Sequence, residues 1–176
     1  GFYRDDLPEN SEVTIEVKAK EGYYFVGWFI SADYYSIEGL LSTELKQTFI
    51  VNEETNNLHL TALFRAIATE IKLEDSSDYG FYLDNDGNLV TEYLLNLNQE
   101  FYALPEGLPL LGKIGDKYER LILGLEYRID STINYTENGM FDTSKEGTYT
   151  ITYTYLNNPE LKVVITLKVV ELVRFL

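Results

Sequence analysis

The chain of 176 residues contains no cysteine and a single histidine. Without cysteine there can be no disulfide, no zinc–thiolate site, no iron–sulfur cluster and no thiol nucleophile. With one histidine, His59, a Ser-His-Asp triad or a three-histidine metal site would depend on that residue alone. The simpler interpretation of His59 is a solvent-facing strand position, because Leu58 and Leu60 point to the opposite face. These absences argue against an enzyme, and we expect no catalytic residue and no cofactor.

Positive charge is also scarce, since 14 Lys and Arg stand against 29 Asp and Glu, which gives a net charge of −15. A polyanion is a poor partner for nucleic acid and is repelled by anionic membranes. Long apolar runs are missing as well. The most apolar stretch, residues 161–176, contains Lys162, Lys168, Glu171 and Arg174 and cannot span a bilayer. We therefore expect neither nucleic-acid partners nor direct membrane insertion.

Aromatic and β-branched residues are abundant, with 15 Tyr and 9 Phe, and no stretch shows sustained helical spacing. Residues 12–20 alternate between apolar and polar positions, which predicts a half-buried strand. Gly22 suits a tight turn, and the aromatic run 23–29 is interpreted as the return strand of a hairpin. Gly27 within that run predicts a bulge or the close approach of another side chain.

The remainder of the first third is less regular. Residues 31–44 predict a loop or a helical turn, 47–51 a short strand, 52–57 a polar turn and 58–64 a closing strand. This order resembles the divergent branch of the internalin B-repeat family, small β-rich and β-grasp-like modules that occur in strings on bacterial surface and secreted proteins. The residues that match the family's habit are Gly22, Tyr23, Phe25, Gly27, Trp28, Phe49, Val51, Ala62 and Phe64. The resemblance covers residues 1–66.

Residues 67–176 also read as strands and turns. Residues 70–74 predict a short strand, 82–90 a hairpin around Asp84-Asn85-Asp86-Gly87-Asn88, and 94–125 several short strands broken by proline and glycine. The last third is clearer. Residues 149–155 and 161–169 each alternate, and a polar turn at 157–159 joins them, which predicts a long antiparallel hairpin.

A second resemblance covers residues 67–176 and is best from about Gln99 onward. The run LEYRIDSTINYTENGMFDTSKEGTYTITYTY followed by LKVVITLKVV is similar to the C-terminal half of bacterial immunoglobulin-like domains. In that family a Gly-Thr-Tyr sequence opens the penultimate strand, which would place Tyr149 at a tyrosine corner. The expected fold class is thus all-β, with a small β-grasp-like module at 1–66 followed by an immunoglobulin-like antiparallel β-sandwich at 67–176.

A weak calcium candidate lies in the predicted hairpin turn. Asp84, Asp86 and Asn88 could offer oxygen ligands to Ca²⁺, but Gly87 is fourth in the loop, whereas an EF-hand loop has its glycine at the sixth position. Asn, Asp and Gly favour turns for backbone reasons alone, so a simple turn is the preferred interpretation. We therefore predict no metal site.

Tyr34 and Tyr35 are the candidates for an exposed ligand surface, because they lie in the irregular segment, whereas Trp28 is assigned to the core. Acidic pairs, among them Glu53 and Glu54, could suggest glycosidase carboxylates, but solvated surface is the preferred reading. An intramolecular Lys–Asn isopeptide bond is known in surface domains of this general sort, and nothing in the spacing selects a pair.

The two resemblances imply a non-catalytic stalk, spacer or adhesive segment of a bacterial cell-surface or secreted protein, located outside the cell. Export and anchoring signals are expected elsewhere, because residues 1–10 have no apolar core. Expected partners are neighbouring domains of the same chain and host or cell-wall proteins or glycans. The alternative is an accessory carbohydrate-binding or spacer module of a secreted carbohydrate-active enzyme.

The core assignments can be tested directly. Trp28→Ala and Tyr149→Ala are each expected to lower the free energy of unfolding of their own domain by about 3–5 kcal/mol, because a truncated core aromatic leaves a cavity. Thermal or chemical denaturation measures this, and unchanged melting of both variants would show that these two residues are not core residues.

Overall fold

The chain folds into two compact all-β units. The computed structural model describes residues 7–30, 35–55, 58–74, 80–101 and 107–172. The units are Gly1–Ile67 and Ala68–Leu176, and their boundary lies one residue after the predicted junction. Among the described residues every regular element is a strand except one 3-10 turn, Ile37–Gly39. The predicted all-β fold class is therefore confirmed.

Unit 1 contains five strands in two sheets. The strands are β1 (Glu12–Glu16), β2 (Tyr23–Phe29), β3 (Leu40–Ser42), β4 (Lys46–Ile50) and β5 (Thr61–Ala66). β1 pairs with β4, and the other sheet has the order β3-β2-β5. Its buried centre is in β2, where Val26, Trp28 and Phe29 are each at most 5% exposed. The indole N–H of Trp28 donates to the carbonyl of Glu44 at 2.7 Å, so the buried ring also has its polar group satisfied.

The predicted hairpin between β1 and β2 is wrong. The chain does turn at Gly22, where φ is +82° and Tyr23 N–H donates to the carbonyl of Lys20 at 3.1 Å. However, β1 forms its ladder with β4, which the Val17 N–H extends by donating to Leu45 at 3.0 Å. Because β3 and β5 occupy both edges of β2, β1 has no free edge of β2 on which to pair.

Gly27 has both features that the sequence predicted for it. The register between β2 and β5 shifts between Phe25 and Gly27, which is a β-bulge. A Cβ at Gly27 would lie 2.5 Å from Leu40 Cδ1 and 3.1 Å from the Ser42 carbonyl oxygen. The absence of a side chain therefore lets β3 approach β2.

Gly27→Ala is expected to destabilise the protein by about 1–3 kcal/mol, since the added methyl overpacks the contact with β3. Gly39→Ala is the matched control, because its nearest neighbour would be Ser36 Oγ at 4.0 Å, and we expect it to change stability by less than about 1 kcal/mol. Chemical denaturation of both variants tests the contact, and equal midpoints would contradict it.

Unit 2 contains seven strands in two sheets. They are β6 (Ile71–Leu73), β7 (Glu92–Asn96), β8 (Leu110–Ile114), β9 (Lys117–Arg120), β10 (Tyr127–Ser131), β11 (Gly147–Tyr155) and β12 (Lys162–Val170). One sheet has the order β6-β8-β9, and all four residues of its edge strand β9 are exposed. The other has the order β10-β11-β12-β7. Both sheets bury residues from one face, which is consistent with a β-sandwich.

The predicted C-terminal hairpin is confirmed. β11 and β12 pair antiparallel from Gly147↔Val169 to Thr154↔Lys162, and Leu161 N–H donates to the Asn158 carbonyl at 2.9 Å in the turn. The inward residues of this hairpin form much of the core, and those at most 3% exposed are Ile151, Tyr153, Tyr155, Ile165, Leu167 and Val169. The predicted alternation of residues 161–169 therefore separates core from solvent as expected.

The buried tyrosines of β11 bind backbone groups from distant parts of unit 2. The Tyr153 hydroxyl accepts a hydrogen bond from Leu108 N–H at 2.8 Å, and the Tyr155 hydroxyl accepts one from Ala68 N–H at 3.0 Å. Burial raises the pKa of Tyr153 well above its usual range, so the phenol is held neutral. Each ring thus packs into the core while its hydroxyl satisfies a backbone donor that water cannot reach.

Tyr149 differs from its sequence assignment, because it is half-buried and not part of the core. It lies near the start of β11, and its hydroxyl donates to the Lys145 carbonyl four residues upstream at 2.9 Å. The cavity expected from Tyr149→Ala is therefore smaller than at a core position. Trp28, which is 4% exposed, keeps its core assignment.

Tyr153→Phe is expected to lower the free energy of unfolding by about 1–3 kcal/mol, because it leaves the Leu108 N–H buried without an acceptor. Tyr135→Phe removes a hydroxyl from a side chain that is 44% exposed, and we expect a change within about 0.5 kcal/mol. Urea titrations of both variants measure the difference. Equal loss of stability in the two variants would show that the buried hydrogen bond is not what stabilises this region.

Candidate functional site

The loop with the calcium candidates is a closed hairpin turn. Asp84 N–H donates to the Asn88 carbonyl at 2.7 Å, and Gly87 takes φ of +81°. Asp84 Oδ1 accepts hydrogen bonds from the backbone N–H groups of Asp86 and Asn88, both at 2.9 Å. The Asp84 carboxylate is thus directed at its own backbone. The described residues contain no cluster of three or more His, Asp or Glu that could hold a metal ion.

The predicted aromatic surface is only partly described. Tyr34 lies outside the described residues. Tyr35 is half-buried, and its ring packs edge-on against Phe29 with 5.1 Å between centroids. Tyr35 therefore contributes one face to the packing of unit 1, which leaves less of the ring for a ligand than the sequence suggested.

Other residues considered from the sequence are exposed. His59 is exposed immediately before β5, as expected for a solvent-facing residue, and Glu53 and Glu54 are exposed in a turn. The turn is closed by Asn52, whose side-chain oxygen accepts from the backbone N–H groups of Glu54 and Thr55 at 3.0 Å each. Carboxylates in such a setting lack the burial that raises the pKa of a glycosidase acid.

Unit 2 contains a chain of aromatic rings that sequence reasoning missed. Successive centroids are 5.4 to 5.7 Å apart from one end of the chain to the other. The rings belong to Tyr82, Tyr93, Phe81, Phe101, Phe141 and Tyr135. The inner four are buried, whereas Tyr82 is 55% and Tyr135 44% exposed. These residues lie far apart in sequence, so no local pattern could have brought them together.

The two outer tyrosines have the properties of small stacking surfaces. Each ring is held by an inner ring, at 5.5 Å for Tyr82 on Tyr93 and 5.4 Å for Tyr135 on Phe141. Neither hydroxyl has a hydrogen-bond partner among the residues that the structure describes. Tyr93, by contrast, donates to the Val90 carbonyl at 2.6 Å, and its pKa is raised because the phenol is buried. Tyr82 and Tyr135 are therefore the described aromatic side chains best placed to contact a ligand.

The outer face of the β6-β8-β9 sheet is polar but internally paired. Arg120 makes a two-pronged ion pair with Glu74, with both N–O distances 2.7 Å. The Tyr118 hydroxyl donates to Glu70 at 3.0 Å, and this hydrogen bond raises the pKa of the phenol. The Lys72 ammonium lies 3.9 Å from the Tyr118 ring centroid. Because these groups satisfy one another, this face is best explained as cross-strand stabilisation.

One carboxyl group is fully buried. Glu126 is 0% exposed, and its Oε1 accepts a hydrogen bond from Ile122 N–H at 3.0 Å. Glu126 N–H in turn donates to the Ile122 carbonyl at 2.8 Å, so side chain and backbone close the same tight loop before β10. This pairing gives the buried carboxyl a structural explanation.

Comparisons of the chain with protein-family models, with curated proteins and with solved structures found no match. No helix of the described residues is both long and apolar enough to cross a membrane. The arguments for function therefore depend on the chain's own residues.

Calcium is expected to have no effect on stability, because the Asp84 carboxylate already binds two backbone N–H groups. Melting curves in millimolar CaCl₂ and in EDTA should coincide, and a calcium-dependent shift would contradict the turn interpretation. Asp84→Ala should lower stability by about 1 kcal/mol through the loss of these hydrogen bonds. Asp86→Ala, which removes only an exposed side chain from the same loop, is its control.

An isopeptide bond is not expected either. All nine lysines lie among the described residues, none is buried, and even Lys113 keeps 35% of its side chain exposed. An ammonium in water stays protonated at neutral pH, whereas a nucleophilic amine must lose that proton, as desolvation allows. Intact mass spectrometry should give the mass calculated from the sequence, and the loss of one ammonia would contradict this.

Proposed function

We propose that the chain is a non-catalytic structural and adhesive segment of a bacterial cell-surface or secreted protein, located outside the cell. In this proposal residues 1–66 form an internalin B-repeat-like module and residues 67–176 an immunoglobulin-like module. Together they act as a stalk or spacer. Neighbouring domains of the same protein are the first partners, and host or cell-wall proteins or glycans are the others.

The observation that carries the proposal is the environment of Tyr149. Its hydroxyl donates to the backbone carbonyl of Lys145 at 2.9 Å, at the start of the penultimate strand. A tyrosine whose hydroxyl binds the backbone a few residues upstream, at the entry to this strand, is a hallmark of immunoglobulin-like sandwiches. The closing antiparallel hairpin of β11 and β12 supports the same assignment.

Unit 1 offers weaker support for its half of the proposal. The residues behind the internalin-repeat resemblance include Gly22 at a turn, Gly27 at a bulge and Trp28 in the core. Their roles are structural, so they account for why a repeat family would keep these residue types. A β-grasp arrangement would place a helix against the sheet, and the described residues of unit 1 contain only the 3-10 turn.

The parent open reading frame tests the proposal most directly. An export signal, a wall anchor and further repeats are expected around this segment, and a cytoplasmic enzyme domain fused to it would overturn the proposal. Purified protein should also turn over none of a broad panel of glycosides, esters, peptides and phosphate esters. Turnover that is lost when an acidic residue is substituted would equally refute it.

A second candidate function is an accessory carbohydrate-binding module of a secreted carbohydrate-active enzyme. The favouring observation is the exposure of Tyr82 and Tyr135, because sugar rings stack on exposed aromatic faces. Binding on a glycan array that falls with Tyr82→Ala or Tyr135→Ala would favour this candidate. Tyr118→Ala, on the internally paired face of β9, is the control, and a featureless array would count against the candidate.

A further inference from the structure

The two strands that lie nearest the chain ends in the larger sheet of unit 2 pair in parallel. β7 runs beside β12 from Glu92↔Thr166 to Asn96↔Val170, whereas the other described strand pairings are antiparallel. Hydrogen bonds close the ladder at both ends. Thr166 N–H donates to the Thr91 carbonyl at 2.7 Å, and Leu97 N–H donates to the Val170 carbonyl at 2.8 Å.

Both strands of this pair are anchored. Tyr93 and Leu95 of β7 are 7% and 2% exposed, and Leu167 of β12 is fully buried. Past the ladder, the Asn96 side-chain oxygen accepts a hydrogen bond from Leu172 N–H at 3.1 Å. The last described residues of the chain are thus tied to β7 by a side chain as well as by the ladder.

The direction of the strands decides how they respond to tension. A pull on the N-terminal side of unit 2 reaches β7 at Glu92, and a pull on the C-terminal side reaches β12 at Val170. These points lie at opposite ends of the ladder, about 13 Å apart at 3.3 Å per residue. The strands are therefore drawn in opposite directions along a common axis, and the five residue pairs carry the load together.

An antiparallel pair with both free ends on one side would instead open one residue pair at a time. Parallel pairing is slightly less stable per residue and needs a long crossover connection. In unit 2 that connection consists of β8 to β11 and forms the rest of the domain. Thermodynamic stability therefore does not explain the choice of a parallel edge, whereas resistance to shear does.

β6 precedes β7 and is loaded first. It pairs with β8 over three residues only, from Ile71↔Gly112 to Leu73↔Leu110. Release of this short pairing passes the tension to β7 without disturbing its ladder with β12.

We propose that β7 and β12 form a mechanical clamp, a shear-loaded ladder that keeps unit 2 folded when the chain is under tension between its ends. Its biological use rests on the proposed function as a stalk. Its resistance to force is a property of the fold and can be measured separately.

Optical tweezers test the clamp on the full chain, because the absence of cysteine lets introduced thiols define the pulling points. Thr69→Cys with Leu172→Cys loads the ladder in shear. Glu100→Cys with Leu172→Cys applies the force beside the Asn96 and Val170 ends, which peels the same two strands apart. All three positions are exposed. We expect a several-fold higher rupture force in the first geometry, and equal forces would overturn the proposal.

Leu97→Pro tests the ladder without changing the pulling points. Residues 96–99 form a turn in which Gln99 N–H donates to the Asn96 carbonyl at 2.9 Å and Asn98 has φ of +63°. Proline suits the second position of such a turn, so the variant removes the hydrogen bond to Val170 while the turn is kept. We expect a lower rupture force in the shear geometry.

Tyr153→Phe is the control for general destabilisation, since Tyr153 contributes no bond between β7 and β12. It should lower stability to denaturant while leaving the shear rupture force unchanged, because that force depends on the step that breaks the ladder. If Leu97→Pro left the force unchanged, or both variants lowered it equally, the clamp would be refuted. A parent gene without anchor or repeats would refute the stalk but not the clamp.

Discussion

The fold of unit 2 depends on buried tyrosine hydroxyls that satisfy backbone N–H groups from other parts of the chain. Tyr153 and Tyr155 both point inward from β11 and accept hydrogen bonds from Leu108 and Ala68. These two donors lie in segments that lead into strands of the other sheet, so one strand fixes where both segments begin. An aliphatic core residue would fill the same volume but would leave the donors without partners. The abundance of tyrosine is thus partly explained by backbone that is buried outside regular ladders.

Unit 1 solves the same problem with tryptophan and glycine. The Trp28 indole donates to the Glu44 carbonyl next to β4, while Gly27 beside it lets β3 approach β2. A large side chain and a missing one therefore stand side by side in the same strand. The bulge at this point adjusts the register with β5, so a single short stretch of β2 sets the packing of its sheet.

Local alternation predicted most strands, because it depends on burial of one face and so appears within a few residues. The hairpin of β11 and β12 is the clearest case. Pairing partners were harder to predict, since the partner of β1 is β4, some 30 residues away, and the intervening turn at Gly22 looks like a hairpin turn. The order of sheets depends on which edges remain open, and that information is spread over the whole unit.

The candidate surface shows the same limit. Tyr35 was favoured because it lies in an irregular segment, yet Phe29 packs against it, while exposed Tyr82 and Tyr135 belong to a ring cluster assembled from four separate segments. The Asp84 turn was predictable because its hydrogen bonds are formed within five residues. Tyr149 was assigned to the core by its alternation, but residues near a strand end are less covered than central ones.

The exposed edge strand β9 has a consequence for a protein built from repeated β-modules. Tandem modules on short linkers meet one another at millimolar effective concentration, a level at which an open strand edge would recruit a neighbouring copy. β9 is four residues long and carries Lys117, Glu119 and Arg120, all exposed. A second strand laid along this edge would have to desolvate these charges. The edge thus favours solvent over another module, and it would let many copies of such a fold stand side by side without merging into a continuous sheet.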